Sequence, residues 1–294
     1  MSSLSQSGIL APVPREARFY ELDLAPGADP RAVLHGLAAW DADPDLLVGF
    51  GASFVASLDA QVPGLRVHPC HVGPGLQVPS TPAALWIRVI GPDRGAIHHR
   101  SRLLLENLGP RVELVRVVDA FTFAEGKDLS GYEDGTENPK GEEASRAALV
   151  QGLGPGLDGS SFLAAQVWVH DLPVVDRMDL VTRDHCIGRS QVDNQELADA
   201  PVSAHVKRAA QESFTPAAFV LRRSMPWTDG RRAGLVFLAF SHSFDAYEAI
   251  LARMVGQEDG VTDALFSFTH PESGAFYWCP PVRDGALDLR ALGL

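Results

Sequence analysis

The same order of hydrophobic patterns occurs twice along this chain, and that repetition restricts it to a few architectures. In the first half, residues 17–24 alternate like a strand. Residues 29–40 read as a helix, with Pro30 at its start and Val33, Leu34 and Leu37 on one face. Residues 46–58 and 84–91 read as strands, 93–108 as a helix and 111–123 as a valine-rich strand. In the second half, residues 162–170 read as a strand, 171–179 as a short helix, and 219–223 and 235–241 as strands. Residues 244–255 then form a helix pattern with Tyr247, Ile250, Leu251 and Met254 facing inward. Strand-helix-strand repeated in this way is the ferredoxin-like arrangement. The expected fold is α+β: two ferredoxin-like halves, residues 1–140 and 141–294, packed as one dimeric α/β-barrel-like unit. Residues 182–216 form a span too long for a simple connection, and such spans are usually functional. A ligand site built from irregular segments is expected there.

Composition narrows the partners. The 294 residues are 46% hydrophobic and 21% charged, an ordinary globular balance with ample material for a core. The formal net charge is -12, from 37 acids against 25 bases, and no Lys/Arg-rich run occurs. Nucleic acid is therefore not an expected partner. No stretch approaches the roughly 18 consecutive apolar residues of a membrane span. The first 14 residues carry no basic region, apolar core or twin arginine, so export is not indicated. The 3 cysteines, Cys70, Cys186 and Cys279, are far apart and odd in number, which suits reduced thiols in a cytoplasmic protein.

The segment Gly131-Tyr132-Glu133-Asp134-Gly135-Thr136-Glu137-Asn138-Pro139 is the strongest local signal. Glycine lets the backbone turn sharply and approach a ligand, and Pro139 biases Asn138 away from helix. A carboxylate held on such a loop suits acid/base work, and it equally suits a plain turn. Arg222 and Arg223 are adjacent on a strand and so point to opposite faces. An inward guanidinium needs an anionic partner. Asp134 or a ligand carboxylate would serve, and a structural ion pair is an equal alternative. Among the 10 histidines, His68-Pro69-Cys70-His71 has the look of a metal cluster, but no second pair stands at zinc spacing and the flanking Pro and Gly suggest a surface loop. His98 and His99 read as a solvated helix face, and His170, His185, His242 and His270 as structural. His205 lies in the irregular span; haem needs little more from a protein than one axial histidine and an apolar pocket, so its signal is faint. Ser190 has no Gly-x-Ser-x-Gly elbow around it, and Gly152-Leu153-Gly154-Pro155-Gly156 lacks the Lys-Ser/Thr of a phosphate loop.

Taken together these blocks resemble the dye-decolorizing peroxidases, in particular the compact bacterial B-type. The Gly-x-x-Asp-Gly signature is Gly131 to Gly135, continuing into Thr-Glu-Asn-Pro. Ser5-Gln6-Ser7-Gly8-Ile9-Leu10, Ile187-Gly188-Arg189-Ser190 through Asp193-Asn194, Ser241-His242-Ser243-Phe244 and Tyr277-Trp278-Cys279-Pro280-Pro281 are similar to further family blocks. His205 precedes Arg222 by 17 positions, as the proximal histidine and distal arginine do in this subgroup.

The resemblance implies haem b (iron protoporphyrin IX) with His205 as its proximal metal ligand. It implies Asp134, Arg222 and Ser224 on the distal, catalytic side. Gly135 and Thr136 would approach the haem through backbone, Arg189 would pair with a propionate, and Phe244 would pack on the porphyrin. Asp263 would accept the other ring N–H of His205 and fix its orientation. Arg223 departs from the acidic or amide residue of many relatives, which leaves substrate preference open. The implied activity is reduction of hydrogen peroxide at the expense of dyes, phenols or other small organic reductants. Asp134 would shuttle a proton and Arg222 would supply positive charge. An ordinary aspartate, with a pKa of about 3.9, points to an acidic optimum. Bulky donors would deliver electrons at the surface, with Tyr132, Trp227, Tyr247, Tyr277 and Trp278 as relays or simply as core. Relatives usually assemble, so a homo-oligomer is expected. The rival readings are a haem-binding or iron-handling protein with little turnover, chlorite-dismutase-like chemistry, and a haem-free interaction protein.

Overall fold

A computed structural model describes residues 4–38 and 43–294. Ten strands form one antiparallel sheet that closes on itself. The ring contains β1 (Glu16–Leu24), β2 (Leu46–Phe50), β3 (Leu85–Ile90), β4 (Val112–Phe121), β5 (Ser161–His170), β6 (Met225–Thr228), β7 (Ala233–Ser241) and β8 (Ala275–Cys279). The order around it is β5-β8-β2-β3-β1-β4-β6-β7, and pairing of β7 with β5, from Ala233↔His170 to Ser241↔Phe162, closes it. The short strands Leu221–Arg222 and Thr269–Pro271 flank the ring. Each half contributes four strands in the same spatial order, with its first strand between its third and fourth. In the first half the connections are helical: α1 (Pro30–Ala38) follows β1, and α2 (Arg94–Leu108) follows β3. In the second half α3 (Leu180–Ile187) and α4 (His205–Arg208) lie between β5 and β6, and α5 (Asp245–Met254) follows β7.

Strand alternation separates two cores. Phe19, Leu47, Trp86, Leu163, Leu238 and Tyr277 pack together on one face of the ring. Their neighbours Tyr20, Val48, Ile87, Phe162, Ala239 and Trp278 join Val33, Ile97, Leu104 and Tyr247 from the helices on the other. The helices therefore cover the outer face, and the first set fills the interior. The helix α2 shows how locally this is written. Asp93 caps it by accepting from Ala96 N at 2.9 Å, Ile97, Leu104 and Leu108 are buried, and His98 and His99 are exposed as expected.

The N-terminal block acts as a latch. The Gln6 amide donates to Val48 O and Pro280 O at 2.9 and 3.0 Å and accepts from Val48 N at 2.8 Å. Arg88 enters the interior beside it and donates to Gly8 O at 3.1 Å. A Cβ on Gly8 would lie 1.9 Å from an Arg88 nitrogen, so a side chain there would displace the guanidinium.

Several expectations need correction. Residues 46–58 are not one strand: β2 ends at Phe50 and Ala52–Ser57 is a helix. The apolar run continues through the change, so periodicity does not mark it. Gly51 does, because a Cβ there would lie 2.1 Å from Ala83 O and the chain has to turn. The helix of residues 29–40 runs from Pro30 to Ala38, and its expected end at Trp40 lies outside the described residues. The strand β8 was not expected at all: all five residues of Ala275–Cys279 are buried, so they show no alternation. His68 and His71 do not face solvent as a surface loop would; both are buried, while Pro69 and Cys70 between them are exposed.

Candidate active site

A cavity of about 260 Å³ lies outside the ring, between the second half's sheet and α5. Trp168, His170, Leu235 and Phe237 form its floor, and Tyr247, Ile250, Leu251 and Met254 its helical wall. The loop from Tyr132 to Glu137, contributed by the first half, closes one side. Most of this lining is apolar, and the polar groups converge from separate elements, as is usual in a small-molecule site.

His205 opens α4 and faces the cavity. Its Nδ1 is 2.8 Å from Asp263 Oδ2. An ionised carboxylate only accepts, so Nδ1 carries the proton and Nε2 is left with a lone pair. Asp263 is 1% exposed and held from several sides. Its Oδ1 accepts from Leu265 N at 2.9 Å, and its own N–H donates to Met254 O at 2.8 Å. Ala264 N–H donates to Ser203 O at 2.8 Å, which ties the carboxylate's segment to the histidine's. Gly188, at the end of α3 with φ +90°, permits the close approach: a Cβ there would lie 2.2 Å from Val206 Cγ2.

The acidic loop is clamped to the strand that bears Arg222. Asn138 donates to Arg222 O at 3.0 Å and accepts from Arg222 N at 2.8 Å, so its amide imitates a neighbouring strand. Gly135 has φ +77°, and a Cβ there would press to 2.7 Å from the Asn138 amide nitrogen. Gly135 and Asn138 of the motif therefore serve one construction that sets Asp134 beside Arg222. Asp134 Oδ1 and Arg222 Nη1 are 3.6 Å apart, a charge contact too long for a hydrogen bond. Arg222 Nε and Ser224 Oγ are buried without partners. Asp134 and Arg222 also line a second cavity of about 70 Å³, and Ser224 lines that smaller cavity but not the first. Arg222 and Ser224 share a face because Arg223 N–H donates to Leu238 O at 2.9 Å, keeping register between Arg222↔Ala239 and Met225↔Val236. Arg223 points the other way and donates to Leu10 O at 3.0 Å, so the departure from the family pattern does not face the cavity.

Of the remaining site residues, Gly135, Thr136 and Arg189 line the cavity. Arg189 is already paired with Glu137 and donates to Asn194 O at 2.8 Å, so it would have to exchange partners to meet a propionate. Phe244 does not line the cavity. It is fully buried and stacks on Phe276 with ring centroids 3.7 Å apart. One helical turn later, Tyr247 faces the cavity instead.

Sequence reasoning missed the anchor of the acidic loop. Asp128 Oδ2 accepts from Ser130 N and Ser130 Oγ at 2.9 and 2.6 Å, and Oδ1 is 2.9 Å from His170 Nε2. Burial alone would raise the Asp128 pKa; the His170 bond and charge and the two Ser130 bonds overcome it and hold it below the usual carboxylate range. Only an Asp-x-Ser turn motif hinted at this. Because the folded value is depressed, the stabilisation is present above the unfolded pKa of about 3.9 and is lost as pH falls toward the folded value. Asp128→Ala is expected to lower the urea-unfolding free energy by about 3 kcal/mol at pH 7. The difference from wild type should shrink on titration below pH about 4; a pH-independent difference would refute the assigned charge role.

A closed α+β barrel whose apolar cavity joins a carboxylate-backed imidazole to an acid–cation pair offers the one axial base and apolar slot that a haem group needs. The family model described as Dyp-type peroxidase, C-terminal, matches residues 125–284. The chain is 27% identical over 301 residues to the dye-decolorizing peroxidase of Mycobacterium tuberculosis, covering 95% of this chain and 89% of that one. Among solved structures, a protein described as a Dyp-type peroxidase from Shewanella oneidensis superposes with a TM-score of 0.90 at 25% identity, covering 99% and 98% of the two chains. A variant of DypB from Rhodococcus jostii RHA1 in complex with heme gives 0.85 at 24%, covering 95% and 97%. The chain belongs to the Dyp-type peroxidase family, and it is a haem-dependent peroxidase of the dye-decolorizing type.

Proposed function

We propose that the cavity is where hydrogen peroxide is reduced at the expense of dyes, phenols or other small organic reductants, with His205 as the single protein ligand of haem b. The observation that carries this reading is the pairing of a free His205 Nε2 with partnerless Arg222 Nε in one apolar cavity. The residues fit the group. Haem asks for one axial base, an apolar slot and few polar contacts. Among the described residues no cluster of three or more His, Cys, Asp or Glu side chains is placed to hold a bare metal ion. When bound, haem supplies the redox-active iron at which peroxide is reduced.

The chain's own groups then divide the work. Asp263 orients His205 and raises its basicity. Asp134 takes a proton from one peroxide oxygen and returns it to the other. Arg222 holds the negative charge on the departing oxygen, and Ser224 Oγ orients the peroxide or a water beside it. Gly135 and Thr136 bring loop backbone against the bound group, and Arg189 secures its anionic edge. A haem-handling protein without turnover would account for His205 but not for Arg222 and Asp134 together.

The halves are read as two ferredoxin-like units fused at about residue 140, on the strength of their shared strand order. Assembly with further copies is supported by β4, which meets β6 only at Ala120↔Trp227 and exposes Leu114, Val115 and Val117. A reducing, cytoplasmic setting is supported by three free cysteines. No helix among the described residues is long and apolar enough to cross a membrane.

The test is the visible spectrum of the haem-loaded protein before and after one equivalent of hydrogen peroxide. A Soret band that shifts on mixing is expected. A Soret band indifferent to peroxide would leave His205 as ligand and reduce Asp134 and Arg222 to structural residues.

A further inference from the structure

We propose that Tyr247 and His68 form a proton-coupled electron relay in the wall of the cavity, an inference that rests on the peroxidase reading above. Tyr247 lines the cavity from α5, and its Oη is 3.1 Å from His68 Nε2. His68 is fully buried, and its Nδ1 makes no hydrogen bond of normal geometry, the Pro69 backbone acting on the ring only weakly. Burying an imidazole with an orphaned nitrogen destabilises the fold, and an unsatisfied buried group of this kind calls for a functional explanation. The fold is shaped to keep the ring there. A Cβ on Gly274 would lie 2.8 Å from His68 Cε1, and the ring packs on Phe276 with centroids 4.7 Å apart.

The chemistry balances as a one-electron step. An electron leaves the Tyr247 phenol for the oxidised centre that peroxide generates in the cavity. The O–H bond breaks, and the proton crosses to His68 Nε2. A neutral tyrosyl radical is left beside an imidazolium. A small organic reductant outside then returns one electron to Tyr247, the proton moves back from His68, and the reductant's own proton leaves to water.

The environment suits both directions. Burial, with His71 adding to it, pushes His68 down to about 4, so the ring is neutral and able to accept at pH 7. The same burial makes the imidazolium transient and favours return of the proton. Burial, with Glu248 adding to it, holds Tyr247 well above its ordinary pKa, so it waits as a phenol. Glu248 itself is paired with Arg66 at 2.8 Å. The ring of His71 lies 5.9 Å from that of His68, with its own Nε2 partnerless, and its Nδ1 is 3.4 Å from Gln257 Oε1, on the way to exposed Val72.

The other four relay candidates of the sequence are otherwise placed. Tyr132 donates to Asp184 at 2.6 Å, and Asp184 also accepts from Gln191 N, a clasp that closes the acidic loop. Trp227, Tyr277 and Trp278 do not line the cavity.

Two measurements test the relay. In the haem-free protein, ¹⁵N shifts of the His68 ring at pH 7 should show a neutral imidazole with its proton on Nδ1; a proton on Nε2 would overturn the relay, because that nitrogen could not accept. In the haem-loaded protein, samples frozen within milliseconds of adding peroxide should show a tyrosyl radical by electron paramagnetic resonance. Tyr247→Phe should lose it, and His68→Gln should alter its g-tensor and shorten its life. If His68→Gln fails to fold, exchange into D₂O of the wild type should remove the coupling from the shared proton. A Soret band that fails to respond to peroxide in the wild type would sink the peroxidase reading itself. A normal Soret response with no tyrosyl radical, or with one that survives in Tyr247→Phe, would sink the relay alone.

Discussion

Arg222→Ala is expected to slow the reaction with hydrogen peroxide by about 100- to 1,000-fold, the usual effect of removing one preorganised group that stabilises developing charge. When the O–O bond breaks, the departing oxygen gains negative charge in a site lined mainly by apolar groups. There the nearest permanent cation acts at low effective dielectric. Arg222 meets that need: its Nε is buried without a partner, and Asp134 engages it only at 3.6 Å. A guanidinium committed to a tight bidentate carboxylate would have little charge left to offer. Stopped-flow absorbance across a range of peroxide concentrations gives the second-order rate directly. Haem content should stay near wild type, since His205 and Asp263 are untouched. Arg222→Lys should recover part of the rate, because the charge returns without the planar fork. An unchanged rate in Arg222→Ala would remove Arg222 from the chemistry and leave it as the anchor that Asn138 grips through its backbone. Asp134→Asn separates proton movement from charge, since it removes the shuttle while Arg222 remains.

The parts of this molecule visible in its sequence are those whose cause is local. The helix α2 announces itself through Asp93 and the spacing of Ile97, Leu104 and Leu108. The opposite fates of Arg222 and Arg223 follow from strand geometry alone. What stays hidden depends on contacts across long separations. The strand β8 is buried on both faces, so its composition carries no alternation, and Ala52–Ser57 continues an apolar run that a strand had begun. Phe244 illustrates a finer limit. Its helix points at the cavity, but one turn of rotation decides which residue reaches it, and Phe276, itself on the strand that went unseen, captures Phe244. The burial of His68 has the same origin, since Phe276 and Gly274 form its bed. The axial histidine is the extreme case. Only its place in the irregular span and its 17-position spacing to Arg222 set His205 apart among 10 histidines; the geometry that makes it an axial base comes from Asp263, 58 residues away.

That second residue carries the other large expectation. Asp263→Asn should reduce haem affinity or peroxidase turnover by about 10- to 100-fold, as loss of an outer carboxylate behind a metal-binding histidine usually does. The carboxylate accepts from His205 Nδ1–H and from Leu265 N, and burial lets its charge act on the imidazole with little screening. An amide oxygen can still accept one of these bonds but brings no negative charge. The imidazole then donates less electron density, and the reduction potential of the bound haem should rise. A purely structural role would lower stability and leave the potential where it was, so potentiometry beside a urea titration separates the two. Stability should change little in the asparagine variant, because a buried neutral amide is easier to desolvate than a carboxylate. Asp263→Ala goes further. It leaves His205 Nδ1–H without an acceptor and frees the ring to rotate, so haem loading itself should fall below that of Asp263→Asn. Equal haem content, potential and turnover in all three proteins would mean that His205 is held by its own helix, and that the Asp263 side chain serves only to cap Ala264–Ser267 through Leu265 N.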